Sequence, residues 1–169
     1  APDEPIDGMR IPALCLIVSA QLAAVPAFGA PCADADKLTR VTGGQECLIA
    51  RTYRKSDGSA PVTLYVLLHG NHTSGSPATS QFKVAEALAG KRPQGTVAVA
   101  LIRPGYNDDA GNFSSGNAAG RGDNFTAANI DIVADAVARL KALHQARRVV
   151  LLGHSGGAAM AGVMLGRYP

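Results

Sequence analysis

The chain has no tryptophan, and aromatic residues make up only 5% of its 169 residues. That leaves no platform on which bases or sugars could stack in series. Charge is also scarce, at 17% Asp, Glu, Lys and Arg, and the net charge is only +3. The basic residues are scattered, with Arg147-Arg148 the longest run. Neither feature suits a nucleic-acid-binding surface. The Walker pattern G-x-x-x-x-G-K-[ST] and the dinucleotide fingerprint G-x-G-x-x-G are both missing. No spaced set of Cys and His residues matches a zinc site, and Asn107-Asp108-Asp109 lacks the ligand spacing of a calcium loop. The residues therefore predict no metal, no cofactor and no nucleic-acid partner. What the chain does have is apolar substance. Hydrophobic residues reach 47%, enough for a packed core and too many for a disordered chain.

The apolar run Ile11 to Ala24 is too short to span a membrane comfortably. Met9-Arg10 precede it, and small residues follow in Val25-Pro26-Ala27-Phe28-Gly29-Ala30. This order of charge, apolar run and small residues predicts a signal peptide, with the mature chain starting near residues 26–31. The competing reading is a buried apolar helix over 11–24. Residues 1–8 are acidic and ill suited to precede a signal, so residues 1–30 are assigned as upstream residues plus signal peptide. The expected destination is the periplasm or the medium, with no stable membrane anchor after cleavage. Cys15 would leave with the signal. Cys32 and Cys47 would stay, an even pair that an oxidising compartment would join; in a cytosolic protein they would be two free thiols. Pro31 directly before Cys32 argues against a lipid anchor there.

Past residue 40 the sequence alternates between strand and helix patterns. Glu46 to Tyr53 reads as a strand after a Gly43-Gly44 turn, and 56–59 as a further turn. Residues 62–68, 96–102 and 148–152 are nearly continuous apolar runs, the pattern of strands buried on both faces. Between them a helix is predicted from Ser76-Pro77 to Gly90, with Phe82, Ala85, Leu88 and Ala89 on one face. A Gly- and Asn-rich loop runs from Arg103 to about Asn124. A second helix follows to about His144, burying Ile130, Val133, Ala134, Val137 and Leu140 and exposing Asp131, Asp135 and Arg139. Such alternation predicts an α/β fold: a mostly parallel sheet with helices on both faces.

The informative motif is Gly153-His154-Ser155-Gly156-Gly157. It lies between the strand run Arg148 to Leu152 and a helical run from Ala158 to Leu165. G-x-S-x-G in a strand–turn–helix setting is the pattern of a nucleophile elbow, a turn so tight that only small flanking residues fit. An incidental serine in a tight βα turn is the plainer alternative. A second segment, Leu67-Leu68-His69-Gly70-Asn71-His72, ends the first apolar strand. Arg103-Pro104-Gly105-Tyr106 follows the next, and Arg121-Gly122-Asp123-Asn124-Phe125-Thr126 precedes the second helix.

Together these segments resemble the N-terminal part of an α/β-hydrolase of the bacterial exported serine-hydrolase kind, over residue 46 to the end. The resemblance implies that Ser155 is the catalytic nucleophile and that Gly153, His154 and Gly157 shape its elbow. It implies an oxyanion hole made by the backbone N–H groups of Gly156 and Asn71. His69, Gly70, His72 and Tyr106 become candidate pocket-rim residues, with His69 expected to pack and shape the loop rather than act as a base, and a solvated loop histidine the plainer reading of His72. The expected substrate is a small-molecule or peptide acyl compound: an ester, thioester or amide.

In this superfamily the catalytic acid and histidine follow the serine. Neither can be matched after Ser155, so residues 31–169 are expected to be a partial domain, truncated after the elbow helix. The alternative is a non-catalytic relative that binds a partner. His154 and His144 are not expected to be the base, and Asp108, Asp109 and Asp123 are expected to be loop-solvating, capping or pocket-rim groups rather than the triad acid. Arg121-Gly122-Asp123 matches an adhesion tripeptide but reads as helix-start chemistry. The acceptor triplets at Asn71, Asn112 and Asn124 are what an Asn-rich loop produces by chance.

Overall fold

The structure, a computed structural model, describes residue 32 and residues 39–55, 63–91, 94–122 and 125–168. The signal region, the 56–59 turn and residues 123–124 lie outside the described residues. Among the described residues, five strands form one sheet: β1 (Arg40–Gly43), β2 (Glu46–Arg54), β3 (Thr63–Leu68), β4 (Thr96–Leu101) and β5 (Arg148–Gly153), in the order β1-β2-β4-β3-β5. Three α-helices among the described residues accompany them: α1 (Ser80–Lys91), α2 (Ala127–Leu143) and α3 (Gly156–Arg167).

The sheet is mixed. β3 runs parallel to both β4 and β5, while β2 runs antiparallel to β4 and to β1. Parallel neighbours need a crossover, and α1 and α2 lie between them in sequence. β1 was not anticipated, because four residues, Arg-Val-Thr-Gly, carry too little pattern; it forms by hairpin pairing with β2 across the Gly44 turn.

The helices cover both faces. Leu64, Val66 and Leu68 of β3, with Val97, Val99 and Leu101 of β4, point to the side where Ile130, Val133, Val137 and Leu140 of α2 and Met160 and Met164 of α3 pack. Leu67, Ala98 and Ala100 point the other way, onto Phe82, Ala85 and Ala89 of α1. This period-2 alternation between two apolar layers is why β4 is buried at every position.

Two expectations need correction. The first helix starts at Ser80, not at Ser76-Pro77. Ala78 is fully buried and its N–H donates to the Asn107 carbonyl at 2.8 Å, so the long loop holds this stretch extended. β5 is not buried on both faces. It is an edge strand, paired only with β3 among the described residues, and Leu152 is 40% exposed. An apolar run reports hydrophobicity, not the number of neighbours.

A disulfide joins Cys32 to Cys47 in β2, with the Cα atoms 5.0 Å apart. Among the described residues, no helix is long and apolar enough to cross a membrane, and no group of three His, Cys, Asp or Glu side chains could hold a metal ion.

Candidate active site

The turn after β5 follows from three glycines. A Cβ on Gly153 would lie 2.4 Å from the backbone N and Cα of Ala158, so the chain can return into α3 only if position 153 has none. A Cβ on Gly157 would lie 2.4 Å from the Leu68 carbonyl oxygen, so α3 packs directly on β3. A Cβ on Gly156 would meet Asn71 Oδ1 at 2.3 Å and Phe125 Cζ at 2.9 Å. Ser155 itself adopts φ 48°, ψ −119°, a conformation that costs a non-glycine residue about 1–3 kcal/mol. The N–H groups of Gly157 and Ala158 donate to the carbonyls of His154 and Ser155, at 2.8 and 2.9 Å. Ser155 is exposed at the N-terminus of α3, where helix N–H groups lack intrahelical partners and the helix dipole favours negative charge.

The end of β3 sits against this turn. His154 N–H donates to the Leu68 carbonyl at 3.1 Å. A Cβ on Gly70 would come within 2.9 Å of His154 Nδ1 and 3.1 Å of the Ser155 Cβ. The fold thus brings Gly70, Asn71, Ser155 and Gly156 together, although about 84 positions separate the two segments. Asn71 is pinned by its side chain. Its Oδ1 accepts from Arg103 Nη2 at 2.8 Å, and its Nδ2 donates to the Gly122 carbonyl.

Tyr106 does not line a rim; it is fully buried beneath the site, and His69, buried as well, forms part of the wall of a pocket shared with Leu152, Gly153 and His154. His69 and Tyr106 stack edge to face at 4.7 Å, and the Tyr106 hydroxyl lies 3.2 Å from the Arg121 carbonyl, to which it donates. His69 uses both ring nitrogens. Nδ1 meets the Gly70 carbonyl at 2.6 Å and must donate to it, while Nε2 accepts from the Arg103 N–H at 3.0 Å. Burial, and after it the charge of Arg103, pushes the His69 pKa down to about 3, so the ring is neutral. His72 is half-buried at the mouth, with Nδ1 3.3 Å from Ser76 Oγ; burial first, then Arg103 and Arg121, lowers its pKa. His144 caps the C-terminus of α2, ahead of β5 and so at the opposite end of that strand from Ser155. Asp108 is a loop-capping group: its carboxylate accepts from the N–H groups of Ala110 and Asn112 and from Asn112 Nδ2. Burial opposes its ionisation, but these hydrogen bonds outweigh burial and hold the carboxyl below its usual range.

The residue that sequence reasoning passed over as a site member is Arg103. The Arg-Pro-Gly-Tyr stretch marked its neighbourhood, but nothing local says that its side chain reaches back to Gly70 and Asn71.

The model of the alpha/beta hydrolase family matches residues 65–167, and the chain belongs to that family. The matched span includes the last four residues of β3, the Arg103 loop and the Ser155 turn. No curated protein matches the chain.

Proposed function

We propose that the protein acts as a serine hydrolase on an ester, thioester or amide, through an acyl-enzyme on Ser155. The observation that carries this reading is the backbone of Ser155, held at φ 48° by glycine neighbours with its side chain exposed beside Gly70 and Asn71. Strain of this kind persists where the surrounding structure enforces it, and it clusters at functional positions. In the proposed reaction Ser155 Oγ attacks the acyl carbon and loses its proton to a base. The carbonyl oxygen becomes negative and is received by the backbone N–H groups of Gly156 and Asn71. The leaving group departs with a proton, and water then hydrolyses the acyl-serine.

The base and its acid are taken from outside these 169 residues. The sequence has four histidines. His69 is buried with both nitrogens engaged, and His144 lies at the far end of the strand. His72 and His154 form no hydrogen bond with Ser155 among the described residues. The disulfide supports an exported protein, periplasmic or secreted, since such bonds persist outside the reducing cytoplasm. A competing reading, a non-catalytic relative that binds a partner, draws on the exposed edge of β5.

A fluorophosphonate probe, with imidazole added as external base, separates these readings. The expected result is phosphonylation mapped to Ser155, accelerated by imidazole and lost in Ser155→Ala. Equal labelling of Ser155→Ala, or no label at Ser155 with imidazole present, overturns the hydrolase reading.

A further inference from the structure

Arg103 is fully buried, yet no carboxylate among the described residues pairs with it. Among the described residues its Nε and Nη1 have no hydrogen-bond partner. Nη2 donates to the Gly70 carbonyl at 2.9 Å and to Asn71 Oδ1 at 2.8 Å, and its backbone N–H donates to His69 Nε2 at 3.0 Å. The guanidinium lies 5.0 Å from the centre of the Tyr106 ring and 5.9 Å from that of Phe125. Every hydrogen bond these groups donate therefore goes to one run of three residues, 69–71.

Packing alone does not account for such a residue. Burying an unpaired charge is unfavourable by several kcal/mol, and an apolar side chain of the same volume would fill the space without that penalty. Burial lowers the proton affinity of Arg103, with Tyr106 opposing, but a guanidinium stays charged in proteins. What the cation does have is position. Gly70 abuts Ser155, and Asn71 abuts Gly156.

We propose that Arg103 is the positioning residue of this site: it clamps the Gly70–Asn71 segment against Gly156 and sets a positive charge behind the place where the acyl oxygen becomes negative. This rests on the Ser155 reading given above. Arg103 touches no reacting atom; it acts through the loop and through the field in a low-dielectric setting, where fixed charges act strongly.

The test uses the full chain with Arg103→Met, which keeps the apolar stem, and Arg103→Ala, which leaves room for free guanidinium. Two quantities are followed: imidazole-assisted phosphonylation of Ser155 against probe concentration, and amide exchange by residue. Arg103→Met is expected to lower the limiting labelling rate about 10- to 100-fold, less than loss of a direct oxyanion donor can. The half-saturating probe concentration should shift by no more than about threefold, because ground-state binding is not the target. Exchange at residues 69–72 should rise while β4 stays protected. Guanidinium ion, but not ammonium, should restore labelling of Arg103→Ala. Unchanged exchange at 69–72 overturns the proposal, whatever happens to labelling. So does a rate loss that accompanies loosening of β3 and β4 together and resists guanidinium. If the parent chain does not label at Ser155, the hydrolase reading fails by itself, and exchange at 69–72 still decides whether Arg103 holds the loop.

Discussion

Gly157 lies so close to Leu68 that a Cβ on it would come within 2.4 Å of the Leu68 carbonyl oxygen and 2.6 Å of that of His69. This contact sets how near α3 can approach the end of β3, and hence how near Ser155 can approach Gly70. The alanine-tolerant face of α3 is elsewhere: nothing lies within 4 Å of a Cβ on Gly162.

The first prediction separates these glycines. Gly157→Ala and Gly153→Ala should each destabilise the fold by about 2–4 kcal/mol, since backbone atoms must move. Gly162→Ala in α3 and Gly90→Ala in α1 should stabilise it by about 0.5–1 kcal/mol, because helical positions prefer Ala and both sites have open space. Urea denaturation of the four variants reads the split directly. Equal effects across all four would mean that α3 is not seated on β3 in this way.

The second prediction concerns Ser155. At φ 48° the residue is strained, and glycine is not. Ser155→Gly should therefore melt at or above the temperature of the parent, whereas Ser155→Ala should not gain. Both should lose phosphonylation at this position. A lower melting temperature for Ser155→Gly than for Ser155→Ala would remove the strain from the account of the elbow.

The elbow was legible in the sequence because its chemistry is local. Five consecutive residues, Gly153 to Gly157, carry the tight turn, the nucleophile position and the helix start. The three parallel strands β3, β4 and β5 were legible for the same reason, as runs of apolar residues between turn signals. What was not legible depended on distant partners. Arg103 looked like a loop residue, yet its side chain bonds a carbonyl 33 positions earlier. Ser76-Pro77 had good helix-start chemistry, but the loop carbonyl of Asn107 competed for the Ala78 N–H and won. Tyr106 read as a rim residue because loops are usually exposed; here the loop folds back through Ser114, whose Oγ donates to the Ile102 carbonyl at 2.7 Å and accepts from the Ile49 N–H at 2.9 Å. β5 read as buried because apolar content does not count neighbours.

The third prediction tests the disulfide. Cys32 and Cys47 are 15 positions apart, and closing a loop of that length stabilises a fold by roughly 3 kcal/mol in the chain-entropy view. Reduction, or Cys32→Ser with Cys47→Ser, should lower the urea midpoint accordingly without changing which residues are protected in β3 and β4. Indifference of the midpoint to reductant would show that the bond constrains little of the folded unit.

The fourth concerns the groove between α2 and α3, about 310 Å³ in volume and lined by Val137, Val149, Leu151, Met164 and Leu165. Leu165 is 67% exposed, and Val163 and Leu152 are also exposed. Exposed apolar surface of this kind favours self-association. Leu165→Lys should reduce light scattering at high protein concentration while leaving stability within about 0.5 kcal/mol. Equal scattering from both proteins would locate the association elsewhere.

The last prediction follows from His69. In the folded protein its pKa is pushed down to about 3, against 6.5 for an ordinary histidine. Above pH 6.5 the ring is neutral whether the chain is folded or unfolded, and its contribution to stability is fully present. As pH falls below that value the unfolded chain takes up a proton that the folded chain refuses. Stability is then lost progressively toward the folded pKa, with a slope approaching about 1.4 kcal/mol per pH unit from this residue. His72 and His144 are shifted in the same direction and add to the loss. The contribution of His69 is isolated by comparing the parent with His69→Gln in urea from pH 7.5 to pH 5. The parent should lead by most at pH 7.5, and its lead should shrink as pH falls, because only the parent carries the refused proton. Parallel stability curves for the two proteins would mean that the ring is not held neutral between the Gly70 carbonyl and the Arg103 N–H. The arrangement of residues 69–71 behind Ser155 would then have to be redrawn.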